Sequence, residues 1–516
     1  MNKKEFVKGA AILAISGVVC KVLGAIYRIP LGNILGTQGM GCYQMAYPVY
    51  SMLIVISTSG IPIAVSKLVS EECAGRNMRA ADEVLRVSLA ALLIVGLACG
   101  VFLYALSGPL AAAMGMPSAA FSLKMLAPSL VFVAAVSAYR GYLQGMQLMG
   151  ATAVSQLAEQ LVRLTIGLYI AKAWMLFGAD RGAGGALLGV TISEVAGFLV
   201  VMGYYIKKQR EIGVFDWQAD RGRKREILKK LWKIAFPVTL GACAMALVST
   251  IDSAVVMRTL LSVGYASDEA SSLYGLLTGF VQPVINMPAV ISAAMSMSIV
   301  PAIAAAIAGK RDALAKKEAT AAYKLSVVAG LPCAVGLLIL GEPILGAMFS
   351  SLQGQELAKA GEIMRILAPA VFFMSVSQVS TGIMQGMGRP VYPVIVMLLG
   401  AVIKLFSGVW LIKTDLGICG AAAGTLLCFV VCMWLNTRFV VQYANVKLSV
   451  AMFAKPAVAS IGMGTVVYLT STWIDGNLGT WIAILAGAVV YGILLLLTKC
   501  VTLEEVCAYL GRKRRS

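Results

Sequence analysis

Long apolar stretches, separated by short polar segments, follow one another along almost the whole chain. Most are about 20 residues long, the length that a helix needs to cross a hydrocarbon core of about 30 Å. Because the backbone polar groups of such stretches must be satisfied within the segment, the pattern predicts an all-α membrane protein with about fourteen transmembrane helices. The predicted spans are residues 8–30, 43–70, 82–107, 120–146, 150–172, 184–207, 231–258, 272–308, 320–341, 361–387, 391–412, 417–438, 449–473 and 480–499.

Composition and charge agree with this prediction. Of 516 residues, 59% are hydrophobic and only 13% are charged, which excludes an ordinary soluble protein. Most of the 43 Lys and Arg residues fall on one side of the predicted membrane, notably in residues 207–233 and 309–324. The positive-inside rule therefore places both termini in the cytoplasm. The formal charge of +19 is explained mainly by these cytoplasmic Lys and Arg residues, which makes a nucleic-acid partner unnecessary. Contact of the basic segments with anionic lipid headgroups is expected instead.

The sequence offers few ligands for a metal or cofactor. It has eleven Cys residues, no His and no Cys-x-x-Cys pair, so we expect no structural zinc site, no other cofactor and no disulfides.

Residues 501–516 are basic at their end. A short amphipathic helix on the inner leaflet and a disordered tail are both compatible with them.

An internal repeat organises the chain. The segments that begin at Leu126 and Leu367 match in one register, and GGALLG (184–189) matches CGAAAG (419–424) further on. Each repeat contains six spans, an even number, so both enter the membrane from the same side and are expected to enclose a central cavity. We predict an N-terminal six-helix bundle (1–207), a cytoplasmic basic linker (208–230), a C-terminal six-helix bundle (231–441), two additional helices (442–500) and a basic cytoplasmic tail (501–516).

Small residues recur at matching positions of the two repeats. The pairs are Gly141 with Gly382, Gln144 with Gln385, and Gly145 with Gly386. Glycines four residues apart allow helix backbones to approach closely in lipid, so we interpret them as packing residues. Gln144 and Gln385, which lie beside them, are candidates to hydrogen-bond a sugar.

The first predicted span contains two cations. Gly17, Lys21, Gly24 and Arg28 fall on one stripe of the helix, within about 40° of each other. A Lys or Arg at mid-bilayer costs about 2.5 to 3.5 kcal/mol, so this stripe is predicted to face a bundle interior or a water-filled cavity. Lys21 lies near the midplane, whereas Arg28 lies about 10 Å nearer the outside, where snorkelling to the interface is an equal alternative.

Further charges are predicted at a similar depth. Glu159 and Arg163 in the fifth span are four residues apart, in the order that favours an intrahelical ion pair. The repeat places Lys404 opposite Arg163, so each half offers a cation at the same position. Asp252 and Arg258 occupy the outer half of the seventh span.

Glu194 in the sixth span is also deep. For Glu194 and Asp252, structural pairing and transport of a coupling proton or Na⁺ both remain open. The cations outnumber the carboxylates at this depth. A cavity with a net positive charge suits an anionic ligand.

Residues 20–71, 139–164 and 251–258 resemble the stage V sporulation protein B branch of the polysaccharide-biosynthesis membrane proteins. This branch belongs to the multidrug, oligosaccharidyl-lipid and polysaccharide exporter superfamily. The resemblance implies two bundles around a central cavity in a bacterial cytoplasmic membrane, and activity as a flippase of undecaprenyl-linked sugar precursors. It also implies that Lys21 and Arg28 line the cavity and meet the lipid diphosphate.

Three functions are compared. The leading hypothesis is a flippase, without enzyme chemistry, for a lipid II-like cell-wall or spore-cortex precursor, with Lys21, Arg28, Arg163 and Lys404 binding its diphosphate. An ion-coupled multidrug exporter would need a cation-accepting acidic pocket, and a membrane glycosyltransferase or polymerase would need paired carboxylates or metal ligands. The expected partners are the lipid-linked glycan, membrane lipids, and H⁺, Na⁺ or the membrane potential as driving force, with the protein acting as a monomer.

Overall fold

The structure is a computed structural model that describes residues 3–75, 77–212, 221–446, 448–474 and 476–500. These ranges are almost entirely helical and contain no strand. Twelve helical stretches within them are long and apolar enough to cross a membrane. The predicted all-α, multi-pass membrane fold is therefore confirmed. The predicted tail (501–516) and residues 213–220 of the predicted linker lie outside the described residues.

The chain divides into two compact units, Met1–Gly275 and Leu276–Ser516. The helices of the first unit are α1 (Lys3–Thr58), α2 (Ile61–Ala74), α3 (Met78–Ala113), α4 (Ala120–Leu126), α5 (Ser129–Gly145), α6 (Met149–Val162), α7 (Leu168–Met175), α8 (Ala179–Ile212), α9 (Arg221–Ser262) and α10 (Ser267–Gly275). A π-helical segment, Arg163–Gly167, joins α6 to α7.

The second unit begins with a π-helical segment, Leu276–Val281. Its helices are α11 (Gln282–Asn286), α12 (Ala289–Ala308), α13 (Asp312–Met348), α14 (Gly354–Gly386), α15 (Val391–Leu411), α16 (Ile418–Ala444), α17 (Val450–Trp473) and α18 (Gly476–Leu497). A third π-helical segment, Ile412–Leu416, follows α15. The predicted span 272–308 thus covers four helical segments: the end of α10, the π-helical segment, α11 and α12.

The first two predicted spans are joined by helix instead of by a loop. Helix α1 continues to Thr58 and changes direction at Gly36, whose φ of 61° and ψ of −171° are accessible to glycine at little cost. The apolar stretch Ile15–Ala74 contains 60 residues, far more than one crossing requires. Gly36 therefore separates two passes within one helical run.

The ends of α5 and α14 show the repeat in the backbone. Both helices end at the matching glycines, Gly145 and Gly386. Two residues further on, Gln147 has a φ of 63° and Gly388 has a φ of 73°. The same left-handed turn therefore follows the same helix in both units.

The matching glycines pack helices, as predicted. A Cβ on Gly141 would lie 2.9 Å from the Pro62 carbonyl of α2, and one on Gly382 would overlap Ser296 of α12. Gly145 and Gly386 contact the same two helices about one turn further along. The second helix of each repeat therefore lies directly on the small face of α5 or α14, and α12 corresponds to α2.

A second glycine contact repeats between the last two helical segments of each bundle. Gly189 on α8 lies against the Cα of Gly167, and Gly424 on α16 lies against the Cα of Gly408. Gly167 and Gly408 occupy matching positions of the repeat. The α8 and α16 backbones lie close to their neighbours at these glycines.

We expect Gly189→Ala to destabilise the purified protein by about 1 to 3 kcal/mol, because its Cβ would overlap the backbone of Gly167. Gly424→Ala should have a similar effect in the second unit. Thermal unfolding in detergent, followed by size-exclusion chromatography, measures the change. Gly203→Ala is the matched control, since no atom lies within 4 Å of its added Cβ. Equal stability of Gly189→Ala and the control would contradict the packing described.

Candidate functional site

Arg163 is held at the start of the π-helical segment between α6 and α7. Its Nη2 lies 3.4 Å from Oε1 of Glu194 and 3.4 Å from Oγ of Ser193, both on α8. The Nε of Arg163 is buried and has no hydrogen-bond partner among the described residues. The guanidinium is therefore paired on one edge and retains a donor for another acceptor.

A second ion pair lies beside the first. Nη2 of Arg140, on α5, lies 2.6 Å from Oε1 of Glu159 on α6 and 2.6 Å from Oγ of Ser155. The carboxylate of Glu159 also touches Gly197 of α8, where a Cβ would overlap it. Gly197 lies one turn from Glu194, so the two pairs are neighbours on α8.

The predicted intrahelical pair between Glu159 and Arg163 is wrong. Glu159 lies beside Ser155, one turn earlier on α6, because both side chains bind the same arginine of α5. There it meets Arg140, while Arg163 turns to Glu194. Each carboxylate is thus neutralised by an arginine from a different helix.

Sequence reasoning missed Arg140, although a signal was present. Arg140 lies inside the predicted span 120–146, where a charge is as costly as in the first span. The repeat gave no help, because the matching residue of α14 is Thr381. A search of every span for isolated charges would have found it.

Three tyrosines line the second pass of α1 near Arg163. Tyr43, Tyr47 and Tyr50 lie on one face of the helix, with ring centroids 6.1 Å apart in each successive pair. The Tyr50 hydroxyl is hydrogen-bonded to Oγ of Ser129 on α5, at 2.9 Å. All three interact electrostatically with Arg163. Sequence reasoning also missed these tyrosines, whose spacing of four and three residues was the available signal.

Of the two cations of the first helix, Lys21 lies apart from this network, whereas Arg28 lies within electrostatic range of Tyr43. Lys21 is exposed and Arg28 is half-buried. Neither has an ion pair or a side-chain hydrogen bond among the described residues. Helix α1 instead packs on α6 along the adjacent stripe, where Oγ of Ser16 lies 3.4 Å from Oε1 of Gln156.

The other predicted residues of the first unit lie apart from one another. Arg258 is exposed on α9, and its Cγ would lie 3.3 Å from a Cβ on Gly115. Asp252 is half-buried on the same helix. Nε2 of Gln144 lies 3.4 Å from Oγ1 of Thr152.

In the second unit, Lys404 is half-buried on α15 and Gln385 is exposed near the end of α14. The residues that match Glu159 and Glu194 are Gly400 and Phe429. At the positions that match Glu159 and Glu194, the second repeat therefore has no carboxylate.

The fold and this network define a multi-pass membrane protein of two helical repeats, with buried ion pairs in the first. The family described as "Polysaccharide biosynthesis protein" matches residues 6–307. The chain belongs to this family. A second family, described as MatE, matches residues 237–410.

Similar proteins cover almost the full chain. Stage V sporulation protein B of Bacillus subtilis is 26% identical over 98% of this chain and 98% of its own length. The lipid II flippase MurJ of the same organism is 24% identical over 95% of this chain and 94% of its own length. A solved structure, "Lipid II flippase MurJ, inward closed conformation", superposes with a TM-score of 0.71 at 17% identity over 94% of this chain and 98% of that chain. These findings confirm the resemblance predicted from the sequence.

We expect Arg140→Met to destabilise the protein by about 3 to 5 kcal/mol, because it leaves the carboxylate of Glu159 buried without a partner. The double variant Arg140→Met/Glu159→Met should recover most of this loss, since no charge then remains. Thermal unfolding in detergent provides the comparison. The control is Lys208→Met, which removes one partner of the exposed Lys208–Glu211 pair and should leave stability unchanged. Wild-type stability of Arg140→Met alone would show that the buried pair is not needed.

Proposed function

We propose that the protein is a flippase that moves an undecaprenyl-diphosphate-linked cell-wall precursor of lipid II type across the cytoplasmic membrane of a bacterium. It works by alternating access, with both termini in the cytoplasm and without covalent chemistry. The family membership and the names of the full-length relatives support this substrate class.

The proposal depends mainly on one observation: the charges of the described first unit that have no ion-pair partner in the membrane spans are positive. Within the described part of the first unit, the buried carboxylates Glu159 and Glu194 are both paired with arginines. Lys21 and Arg28 have no such partner there. A lone cation in a membrane span is stabilised by water or by an anion. A lipid-linked diphosphate supplies two adjacent phosphates, which are preferred acceptors for Lys and Arg.

The remaining site residues take roles in the same scheme. Lys21 and Arg28 contact the diphosphate first. Further positive charge comes from Arg163, through its free Nε, and from Lys404 and Arg258. Gln144 and Gln385 hydrogen-bond the glycan. The polyprenyl tail stays in the lipid, where its burial costs nothing.

Glu194 gives a route for coupling to an ion. A phosphate that binds at Nε of Arg163 and then also takes its Nη2 donor competes with Glu194, and this competition releases the carboxylate. A released buried carboxylate takes up a proton or Na⁺, because an unpaired charge is costly there. Glu159 and Asp252 are the other acidic residues available for this role.

A multidrug exporter is the second candidate, and the MatE match to residues 237–410 favours it. Such an exporter requires an acidic pocket that accepts a cationic drug. In the described first unit, the deep carboxylates Glu159 and Glu194 are occupied by arginines. Charge therefore favours an anionic substrate.

We expect Lys21→Ala and Arg28→Ala each to slow translocation of a lipid-linked diphosphate oligosaccharide about tenfold or more. Each removes a charge-assisted contact worth about 1.5 to 3 kcal/mol, and 1.4 kcal/mol is a factor of ten. The measurement is translocation in vesicles containing purified protein. Lys67→Ala, an exposed residue 3.9 Å from Glu71, is the control and should act like wild type.

Two results would oppose this proposal. Wild-type translocation by both first-helix variants would remove Lys21 and Arg28 from the site. Drug-stimulated proton or Na⁺ flux in the same vesicles, without lipid translocation, would support the exporter instead.

A further inference from the structure

A cavity of about 430 Å³ lies in the second unit, at the end where α12 finishes and α13 begins. This volume falls in the range of small-molecule sites. The floor is apolar and is formed by Ile303, Ala315 and Ala319, which are buried. Asp312 and Lys316, from the first turns of α13, supply its charges.

The two charges of the cavity are not used by the protein itself. Asp312 and Lys316 are four residues apart on one face of α13, the usual spacing of an intrahelical ion pair. They do not form that pair, and neither side chain has another ion pair or hydrogen bond among the described residues. The exposed carboxylate of Asp312 and the half-buried ammonium group of Lys316 therefore line one cavity without a protein partner among the described residues.

The opposite wall is held rigid. The Tyr443 hydroxyl is hydrogen-bonded to that of Tyr392 at 2.9 Å, and the guanidinium carbon of Arg389 lies 3.9 Å from the centre of the Tyr443 ring. Asn445, with a φ of 50°, ends α16 at the rim. Arg389 thus adds a second cation beside the cavity.

The first unit provides an internal comparison. Its cavity of about 500 Å³ lies at the corresponding ends of α2 and α3, where the start of α9 covers it. Every charged side chain lining that cavity has an ion-pair partner. The pairs are Glu71 with Lys67, Glu72 with Arg223, and Glu226 with Lys230. Unpaired charges are therefore not a general property of these helix ends.

We propose that the second-unit cavity binds the zwitterionic headgroup of an aminophospholipid of the phosphatidylethanolamine type. The ammonium group pairs with Asp312, the phosphate pairs with Lys316 on the side of Arg389, and the glycerol region lies over the apolar floor. A lipid is the expected source, because the turn between Ala308 and Asp312 joins two helices that are long and apolar enough to cross a membrane, and such turns are expected near the headgroups. An anionic headgroup without an ammonium group would place its negative charge beside the Asp312 carboxylate with no positive charge between them.

Native mass spectrometry of the full-length protein tests the site. The protein is purified in detergent with equal amounts of phosphatidylethanolamine and phosphatidylglycerol, and the retained lipids are counted. Wild type should retain one phosphatidylethanolamine molecule in preference to phosphatidylglycerol. Lys316→Gln should reduce retention of both lipids about tenfold, because the phosphate loses its partner.

Asp312→Asn separates this site from general lipid adhesion. It should abolish the preference for phosphatidylethanolamine while phosphatidylglycerol is retained as before, which also shows that the variant is folded. Lys317→Gln, an equal charge change on an exposed neighbour, should leave both lipids unchanged. An unchanged lipid preference in Asp312→Asn, or equal losses in Lys316→Gln and Lys317→Gln, would overturn the proposal.

Discussion

A charge inside a membrane must find a partner, and this constraint shapes the first unit. Arg140 and Arg163 reach from two helices to Glu159 and Glu194, so four side chains that are costly in lipid become two neutral pairs. Gly197 provides the space that one of these carboxylates needs. Lys21 and Arg28 have no protein partner in the described structure, and the proposed substrate is the partner that they lack.

The two repeats share a backbone plan but differ in charge. The glycine contacts of Gly167 with Gly189 and of Gly408 with Gly424 give both bundles the same close helix pairs. At the matching positions of the charged network, however, the second repeat has Thr381, Gly400 and Phe429. Packing residues are therefore kept in both halves, while the carboxylates of the charged network have no counterpart in the second. We infer that the carboxylates available for ion coupling, Glu159, Glu194 and Asp252, belong to the first unit.

Much of the fold could be predicted from the sequence, because membrane-spanning helices and close helix contacts leave local signals. These signals are apolar stretches of about 20 residues and regularly spaced glycines. The repeat and its packing glycines could be predicted from the match at Leu126 and Leu367. The continuous α1 could not, because Gly36 bends a helix where glycines usually indicate a loop. The pairing of Glu159 with Arg140 depends on which helix lies opposite, and sequence spacing favoured Arg163 instead. Contacts between distant helices are the part that spacing alone leaves undetermined.

The central claim is that unpaired cations in the first repeat serve a lipid-linked diphosphate precursor. The most direct test is complementation of a bacterial strain depleted of its own lipid II flippase. Expression of the wild-type chain is predicted to restore growth and the appearance of precursor on the outer leaflet. Continued lysis, with the protein present in the membrane at normal levels, would contradict the assigned substrate class.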